Sequence, residues 1–125
     1  PYIELIEELS LQEAITFQAQ FKPFRHTANL NELIQLAQLQ QAKDKQLRFF
    51  SSGMKQRAKL LLAIMADTPI LLLDEPTTNL DTKGIDWYRT LMEQHIENRL
   101  VIVASNQKHE YDFCQQHLHI EQYKP

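Results

Sequence analysis

The chain has 125 residues, 43% of them hydrophobic, which is enough for one modest buried core. Its formal net charge of −3 gives no basic surface of the kind that binds nucleic acid or anionic lipid. Cys114 is the only cysteine, which excludes a disulfide framework, and no apolar stretch approaches the roughly 20 residues of a membrane span.

The first part of the chain is predicted to form short capped helices. Ser10 and Glu13 have the spacing of a capping box, in which each side chain accepts a hydrogen bond from the other residue's backbone. The helix that they open is expected to end before Pro23. Asn29 and Glu32 repeat the spacing and predict a second helix.

The second part alternates helices with short apolar runs. Such runs, bounded by turn signals, are typical of parallel strands buried on both faces. The predicted elements are a helix from Ser51 to about Met65, strands at 70–73, 100–104 and 118–120, a helix after Asp81, and a short helix near 110–114.

This order of elements predicts an α/β chain. Helices come first, over a helical subdomain at residues 1–66. Residues 67–125 are expected to form part of a parallel α/β core with flanking helices.

Two acidic residues follow the first predicted strand. A strand that ends in Asp74 and Glu75 brings both carboxylates to the carboxyl edge of a parallel sheet, where such folds bind ligands. Asp74 is a candidate ligand for Mg²⁺, and Glu75 is a candidate for polarising a water that attacks a phosphate. On these two residues alone, an acidic strand end that merely meets solvent is the alternative.

The third helix opens with three small residues, Ser51, Ser52 and Gly53. Free backbone N–H groups at the positive end of a helix form a site for an anion such as a phosphate, although an ordinary helix cap is the alternative. The only other glycine is Gly84, so these 125 residues contain no GxxxxGK[ST] phosphate loop.

Three motifs in this region follow one another within about thirty residues. They are Ser51 to Arg57, the apolar run into Asp74-Glu75-Pro76, and Thr77 to Asp81. In order and spacing they resemble the signature, the Walker B strand and the D-loop of ABC-type ATPases. The chain departs from the LSGGQ form of the signature at Phe50, Ser52 and Met54.

The resemblance implies a fragment of the P-loop NTPase fold of ABC type, with ATP and Mg²⁺ as cofactors. It assigns Mg²⁺ binding to Asp74 and the general base to Glu75. It also implies that Ser51, Ser52, Gly53 and Met54 contact the ATP of a partner domain in a head-to-tail pair. In the D-loop, Asn79 would face the partner, and Asp81 would order the turn.

Residues 101–107 resemble the strand that ends in the switch histidine of this family. Asn106 stands at the histidine position. An asparagine amide can hydrogen-bond a phosphate but is never cationic and cannot shuttle a proton. We therefore expect nucleotide sensing to persist there while hydrolysis slows.

The resemblance also implies partners. These are a second nucleotide-binding domain, identical or different, and a transmembrane permease, with the ATPase at the inner face of the membrane and no nucleic acid bound. Tyr2, Ile3 and Leu5 are candidate permease contacts. Lacking a phosphate loop, the chain is expected to be the carboxyl-terminal portion of an ATPase and to bind ATP poorly by itself.

Two other interpretations fit the motifs. One is the signature-bearing half of a chromosome or DNA-repair ATPase head, a class that shares the DEPTxxLD-like run. The other is a non-catalytic half-module that pairs with a complete ATPase.

Overall fold

A computed structural model of the chain describes residues 5–120, so Tyr2 and Ile3 lie outside the described residues. The helices and strands are α1 (Leu11–Ala19), α2 (Leu30–Ala37), α3 (Ser52–Met65), β1 (Ile70–Asp74), α4 (Thr82–His95), β2 (Leu100–Ala104) and α5 (Lys108–Tyr111). Short 3₁₀ turns lie at Arg25–Thr27, Gln40–Ala42 and Leu47–Phe49.

Both predicted capping boxes are confirmed. The Ser10 hydroxyl accepts from the Glu13 N–H at 3.2 Å, and the Glu13 carboxylate accepts from the Ser10 N–H at 2.9 Å. Asn29 and Glu32 make the same exchange at 2.9 and 3.5 Å. These reciprocal bonds satisfy N–H groups that the helix itself leaves without partners, so both helices begin where the sequence predicts.

The centre of the core is α3, which packs against α1, α2 and α4. A helix that is apolar nearly all round belongs in the interior, and α3 is of this kind over its second half. Its buried residues are Ala58, Leu60, Leu61, Leu62, Ile64 and Met65. None of the helices in the described part of the chain is long and apolar enough to cross a membrane.

β1 and β2 form a two-stranded parallel sheet. Ile70 pairs with Leu100 at one end of the ladder, and Asp74 pairs with Ala104 at the other. The α4 helix connects the strands, as parallel pairing requires. The predicted α/β class with a partial parallel sheet is therefore confirmed.

The prediction that both strands are buried on both faces is wrong. Leu71 and Leu73 are buried, but the opposite face is open. Its apolar side chains are 45–57% exposed: Ile70, Leu72, Leu100 and Ile102. Burial alternates along each strand because only one face of the sheet packs on the core. No element of residues 5–120 covers the other face.

The predicted third strand at 118–120 is also wrong. Leu118 and Ile120 are exposed and lie outside any strand. An alternating apolar pattern does not make a strand unless a neighbour pairs with its backbone, and no described strand does so here.

One arginine links several backbone segments at the end of the sheet opposite Asp74. The Arg99 guanidinium donates to the carbonyls of Ile64, Ala66, Thr68 and His95 at 2.6–3.3 Å. Carbonyls at the last turn of a helix lack intrahelical partners, and a cation there also complements the helix dipole. Arg99 thereby ties together the carboxyl ends of α3 and α4.

His95 is buried beside this arginine. Burial lowers the pKa of His95, and the nearby charges of Arg25, His26 and Arg99 lower it further. Its Nδ1 atom is buried and has no hydrogen-bond partner among the described residues. The folded state therefore favours the neutral imidazole.

We predict that the fold loses stability below neutral pH, in part through His95. Because its pKa is lower folded than unfolded, the unfolded chain takes up the proton first. The contribution is present above the ordinary histidine pKa of about 6.5 and is lost as the pH falls from there toward the lowered value. Thermal unfolding followed between pH 7.5 and 5 should show a shallower decline in Tm for His95→Gln than for the wild type. His119→Gln, at an exposed position, should retain the wild-type slope, and equal slopes in all three proteins would contradict this role.

Candidate functional site

The two carboxylates predicted at the end of β1 are both exposed. The ladder continues one step beyond the strand, because the Glu75 N–H donates to the Ala104 carbonyl at 2.9 Å. Glu75 then takes a φ of 45°, in the left-handed region that non-glycine residues rarely adopt. The Thr78 hydroxyl donates to the Glu75 carbonyl at 2.8 Å and holds this turn in place. Asp74 thus ends the strand, and Glu75 begins a fixed turn that faces solvent.

Asn106 lies at the same edge of the sheet. Since Asp74 pairs with Ala104, the residues that follow each strand emerge side by side. Asn106 is exposed there. The structure therefore brings all three residues predicted for phosphate chemistry, Asp74, Glu75 and Asn106, to one edge.

The predicted signature forms the start of α3. Ser51 is the N-cap, and its hydroxyl accepts from the Met54 N–H at 3.2 Å. Ser51 and Ser52 are exposed, and Gly53 is half-buried. The ordinary capping role is thus present, and the first turn of the helix still faces solvent.

Two contacts fix α3 against the turn that follows β1. The Gln56 side-chain amide donates to the Pro76 carbonyl at 2.8 Å. A Cβ atom added at Gly53 would lie 3.0 Å from the Asn79 carbonyl oxygen, closer than real Cβ contacts normally come. Glycine at position 53 therefore permits a close approach of two backbones, one from the signature and one from the D-loop.

A cleft of about 870 Å³ opens where these two segments meet. Five predicted site residues line it: Ser51, Gly53, Met54, Asn79 and Asp81. The lining does not include Ser52, Asp74, Glu75 or Asn106. The structure thus divides the predicted residues between this cleft and the edge of the sheet.

Asp81 has a capping role as well. Its carboxylate accepts from the Gly84 N–H at 2.8 Å and opens α4. Just before it, Asn79 has a φ of 67°. The D-loop is thus fixed at one end by a helix cap, and its Asn79 backbone adopts a conformation that few residues occupy.

Other residues that line the cleft were missed by sequence reasoning. They are residues 38–42 and Arg57. Arg57 donates to the Gln38 side chain at 3.2 Å, and its guanidinium carbon lies 5.5 Å from the ring centroid of Trp87. A cation that follows the helix start by one turn was the available signal. Arg57 gives the cleft a positive charge held in position by hydrogen bonding and cation–π contact.

A buried polar cluster behind the sheet edge was missed too. Glu110 is fully buried and accepts hydrogen bonds from Thr77 and Ser105, and Thr77 also contacts His109. The only sequence signal was that Glu110 shares the spacing of Phe113 and Cys114, one face of a short helix. A charged residue on that face gives no indication of a partner 33 residues away in the chain.

The residues present fit Mg²⁺ and ATP to different extents. Within residues 5–120 no group of three or more histidine, cysteine or acidic side chains is arranged to hold a metal. Mg²⁺ does not need such a cage, since one or two carboxylates with phosphates and water suffice, and exposed Asp74 fits that description. The open helix start at Ser51 fits one side of a phosphate group. The 125 residues supply no phosphate loop for the other side.

The comparisons with known proteins agree on a family. The family model described as "ABC transporter" matches residues 3–78, more than half of the chain. The chain is 31% identical over 87 residues to the uncharacterized ABC transporter ATP-binding protein YcbN of Bacillus subtilis. It is 33% identical over 97 residues to the cytochrome c biogenesis ATP-binding export protein CcmA of Bradyrhizobium diazoefficiens.

These matches cover 70% and 78% of the chain but only 28% and 48% of the two relatives. Among solved structures, the dimeric bacterial ABC transporter cassette MJ0796 matches with a TM-score of 0.73 at 23% identity. That match covers 88% of this chain and 51% of the cassette, so the chain spans about half the length of a protein with its fold. By the extent of the family match, the chain belongs to the ABC transporter family and has the fold of its ATP-binding cassette.

Proposed function

We propose that the intact protein is the ATP-binding subunit of an ABC-type membrane transporter, in which ATP hydrolysis is coupled to transport. Residues 1–66 would serve as its helical subdomain, and residues 67–125 as the carboxyl-terminal part of its ATPase core. The family membership of the chain supports the class of activity. The specific roles below are supported by the geometry of the two groups of residues.

The observation that carries the proposal is the cleft between the α3 start and the D-loop. Ser51, Gly53 and Met54 meet Asn79 and Asp81 there, and Arg57 adds a positive charge. An open helix start beside a cation suits a phosphate that approaches from outside the chain. The carboxylates of Asp74 and Glu75 line no part of this cleft, which suits a signature that serves the nucleotide of a partner domain.

At the edge of the sheet, Glu75 would act as general base. Its exposed carboxylate can accept a proton from a water as that water attacks the terminal phosphate. Asp74 would hold Mg²⁺, which neutralises charge on the phosphate oxygens when it is bound. Asn106 would donate an amide hydrogen bond to the same phosphate.

The natural partners would be a second nucleotide-binding domain and a transmembrane permease, which would hold the subunit at the inner face of the membrane. Leu5 is the one candidate permease contact among the described residues. It is half-buried and packs against the core, so only part of its side chain is free for a partner.

A second candidate is a non-catalytic module that pairs with a complete ATPase. Asn106 favours it, because an amide at the switch position neither carries charge nor moves a proton. In that case the cleft would still complete the nucleotide site of the partner, and Glu75 would have no chemical role.

The first prediction concerns nucleotide binding by the 125-residue chain. Without a phosphate loop in these residues, it should show no saturable Mg-ATP binding tighter than about 1 mM by titration calorimetry. A dissociation constant well below about 1 mM would contradict this prediction and would mean that other residues of the chain bind ATP.

The second prediction concerns Glu75. In the intact protein, Glu75→Gln should lower kcat for ATP hydrolysis by about a hundredfold or more, with ATP affinity retained, because the amide cannot accept the proton. Glu93→Gln, an exposed position on α4, is the matched control and should leave the rate unchanged.

Transport in the natural context distinguishes the two candidate functions. Loss of transport in Glu75→Gln supports the catalytic subunit, whereas full transport supports the pairing module. ATPase activity that rises on addition of DNA would instead favour the chromosome or DNA-repair class.

The third prediction concerns Gly53. In a helix interior, replacing glycine by alanine is stabilising by about 1 kcal/mol, and at Gly53, in the first turn of α3, the gain should be smaller. The new methyl group, however, would press on the Asn79 backbone at 3.0 Å and displace the D-loop. A displacement of a few tenths of an ångström should cost about tenfold in ATPase rate.

Lys59→Ala, which makes an alanine at an exposed position of the same helix, should keep the wild-type rate. The variants are compared by steady-state ATPase assays and by the NMR chemical shifts of the backbone amides of residues 79–81. An unchanged rate with unchanged shifts in Gly53→Ala would mean that the close approach is not needed.

A further inference from the structure

Glu110 is a fully buried carboxylate that the proposed chemistry does not use. A buried charge is costly unless hydrogen bonds replace the water that it has lost. One oxygen of Glu110 accepts from the Thr77 N–H at 2.7 Å and from the Thr77 hydroxyl. The other oxygen accepts from the Ser105 hydroxyl. The carboxylate is therefore satisfied, and it is satisfied by two separate segments of the chain.

Those two segments are the ones that carry the candidate catalytic residues. Thr77 lies two positions after Glu75, on the turn that follows β1. Ser105 lies directly before Asn106, on the segment that follows β2. The strand register already places the two strand ends side by side. Glu110 links the two loops that follow the strands, beyond the last backbone hydrogen bonds between β1 and β2.

The surroundings of Glu110 keep it in place. Its backbone carbonyl accepts from the Tyr88 hydroxyl at 2.8 Å, which fixes α5 to the buried face of α4. Burial raises the pKa of Tyr88, and the nearby charge of Glu110 raises it further. The Tyr88 hydroxyl therefore stays protonated and remains a donor.

His109 completes the arrangement at Thr77. The Thr77 hydroxyl has a single hydrogen, which it gives to Glu110. The His109 Nε2 atom, 2.9 Å from the same oxygen, must therefore carry a hydrogen and donate it. Thr77 is thus held from both sides.

We infer that Glu110 is a positioning residue for the ATPase reaction. By holding Thr77 on one carboxylate oxygen and Ser105 on the other, it sets how Glu75 and Asn106 lie relative to each other. This inference rests on the proposed function, because that function gives Glu75 and Asn106 their roles. Glu110 itself contacts neither nucleotide nor water in this scheme.

Methionine is the informative replacement. It is close to Glu110 in size but has neither carboxylate oxygen, so Thr77 and Ser105 both lose this acceptor and both loops are released. Glutamine would not break the link, because its oxygen could keep Thr77 while its nitrogen donated to the Ser105 oxygen, whose hydrogen the Gln107 carbonyl can accept. Ser105→Ala is the complementary variant: it leaves the contacts between Glu110 and Thr77 intact and removes the bond to Glu110, together with the two bonds between the Ser105 hydroxyl and the Gln107 backbone.

The test uses the intact protein with Glu110→Met, Ser105→Ala, the double variant, and Glu93→Gln as control. ATP affinity, kcat and hydrogen exchange of the segments at 75–80 and 104–108 are measured for each. We expect kcat to fall about tenfold in each single variant, with ATP affinity within about twofold of wild type. The loss in the double variant should be smaller than the product of the two single losses, because both changes remove the same bond between Glu110 and Ser105.

Exchange without nucleotide should become faster in both loop segments in Glu110→Met, faster only at 104–108 in Ser105→Ala, and stay unchanged in α3 in both. Wild-type kcat in Glu110→Met, additive losses in the double variant, or faster exchange throughout the core would each overturn the inference. If Glu110→Met does not fold, Ser105→Ala decides: a lowered kcat with faster exchange at 104–108 supports the inference, and a wild-type kcat overturns it.

The exchange measurement also separates this inference from the proposed function. A wild-type protein that hydrolyses no ATP would refute the proposed function. Faster exchange of both loop segments in Glu110→Met would still support the link through Glu110, and faster exchange of only one segment in that variant would refute it.

Discussion

The burial of α3 is the constraint on which the rest of the structure depends. Its second half is apolar nearly all round and packs against α1, α2 and α4 at once. Because that half cannot rotate or slide without exposing large side chains, the start of the helix at Ser51 is fixed too. Gln56 and Gly53 then place the turn after β1 against this start. The geometry of the cleft thus derives from core packing at a distance from it.

What the sequence predicted well is local in the chain. The caps at Ser10, Asn29 and Asp81 need only three or four residues to form, and the structure has all of them. The order of the signature, the acidic strand end and the D-loop is also a property of neighbouring residues, and it was sufficient for the family. The pairing of β1 with β2 followed from two apolar runs joined by a helix, which is the usual connection of parallel strands.

What the sequence did not predict depends on contacts between distant segments. Nothing local indicates that Glu110 meets Thr77 or that Arg57 packs on Trp87. The error at 118–120 has the same origin, since a strand requires a partner backbone and the pattern describes only one chain segment. The wrong prediction that both faces of β1 and β2 are buried has the same cause. An apolar residue type indicates a preference for burial, but it does not show whether another layer of structure packs on that face.

The proposed function explains why the predicted site residues fall into two separate groups. Asp74, Glu75 and Asn106 share one edge of the sheet, whereas Ser51, Gly53 and Asn79 share the cleft. A single phosphate group cannot be held by both groups of this chain if it enters the cleft, because the cleft lining excludes the carboxylates. Two domains in the proposed head-to-tail arrangement would remove the difficulty, because the cleft of one would face the sheet edge of the other. Under that function, the contact of Gln56 with Pro76 and the close approach of Gly53 to Asn79 would join the sheet edge and the cleft within one chain, because both link the start of α3 to the turn that follows β1.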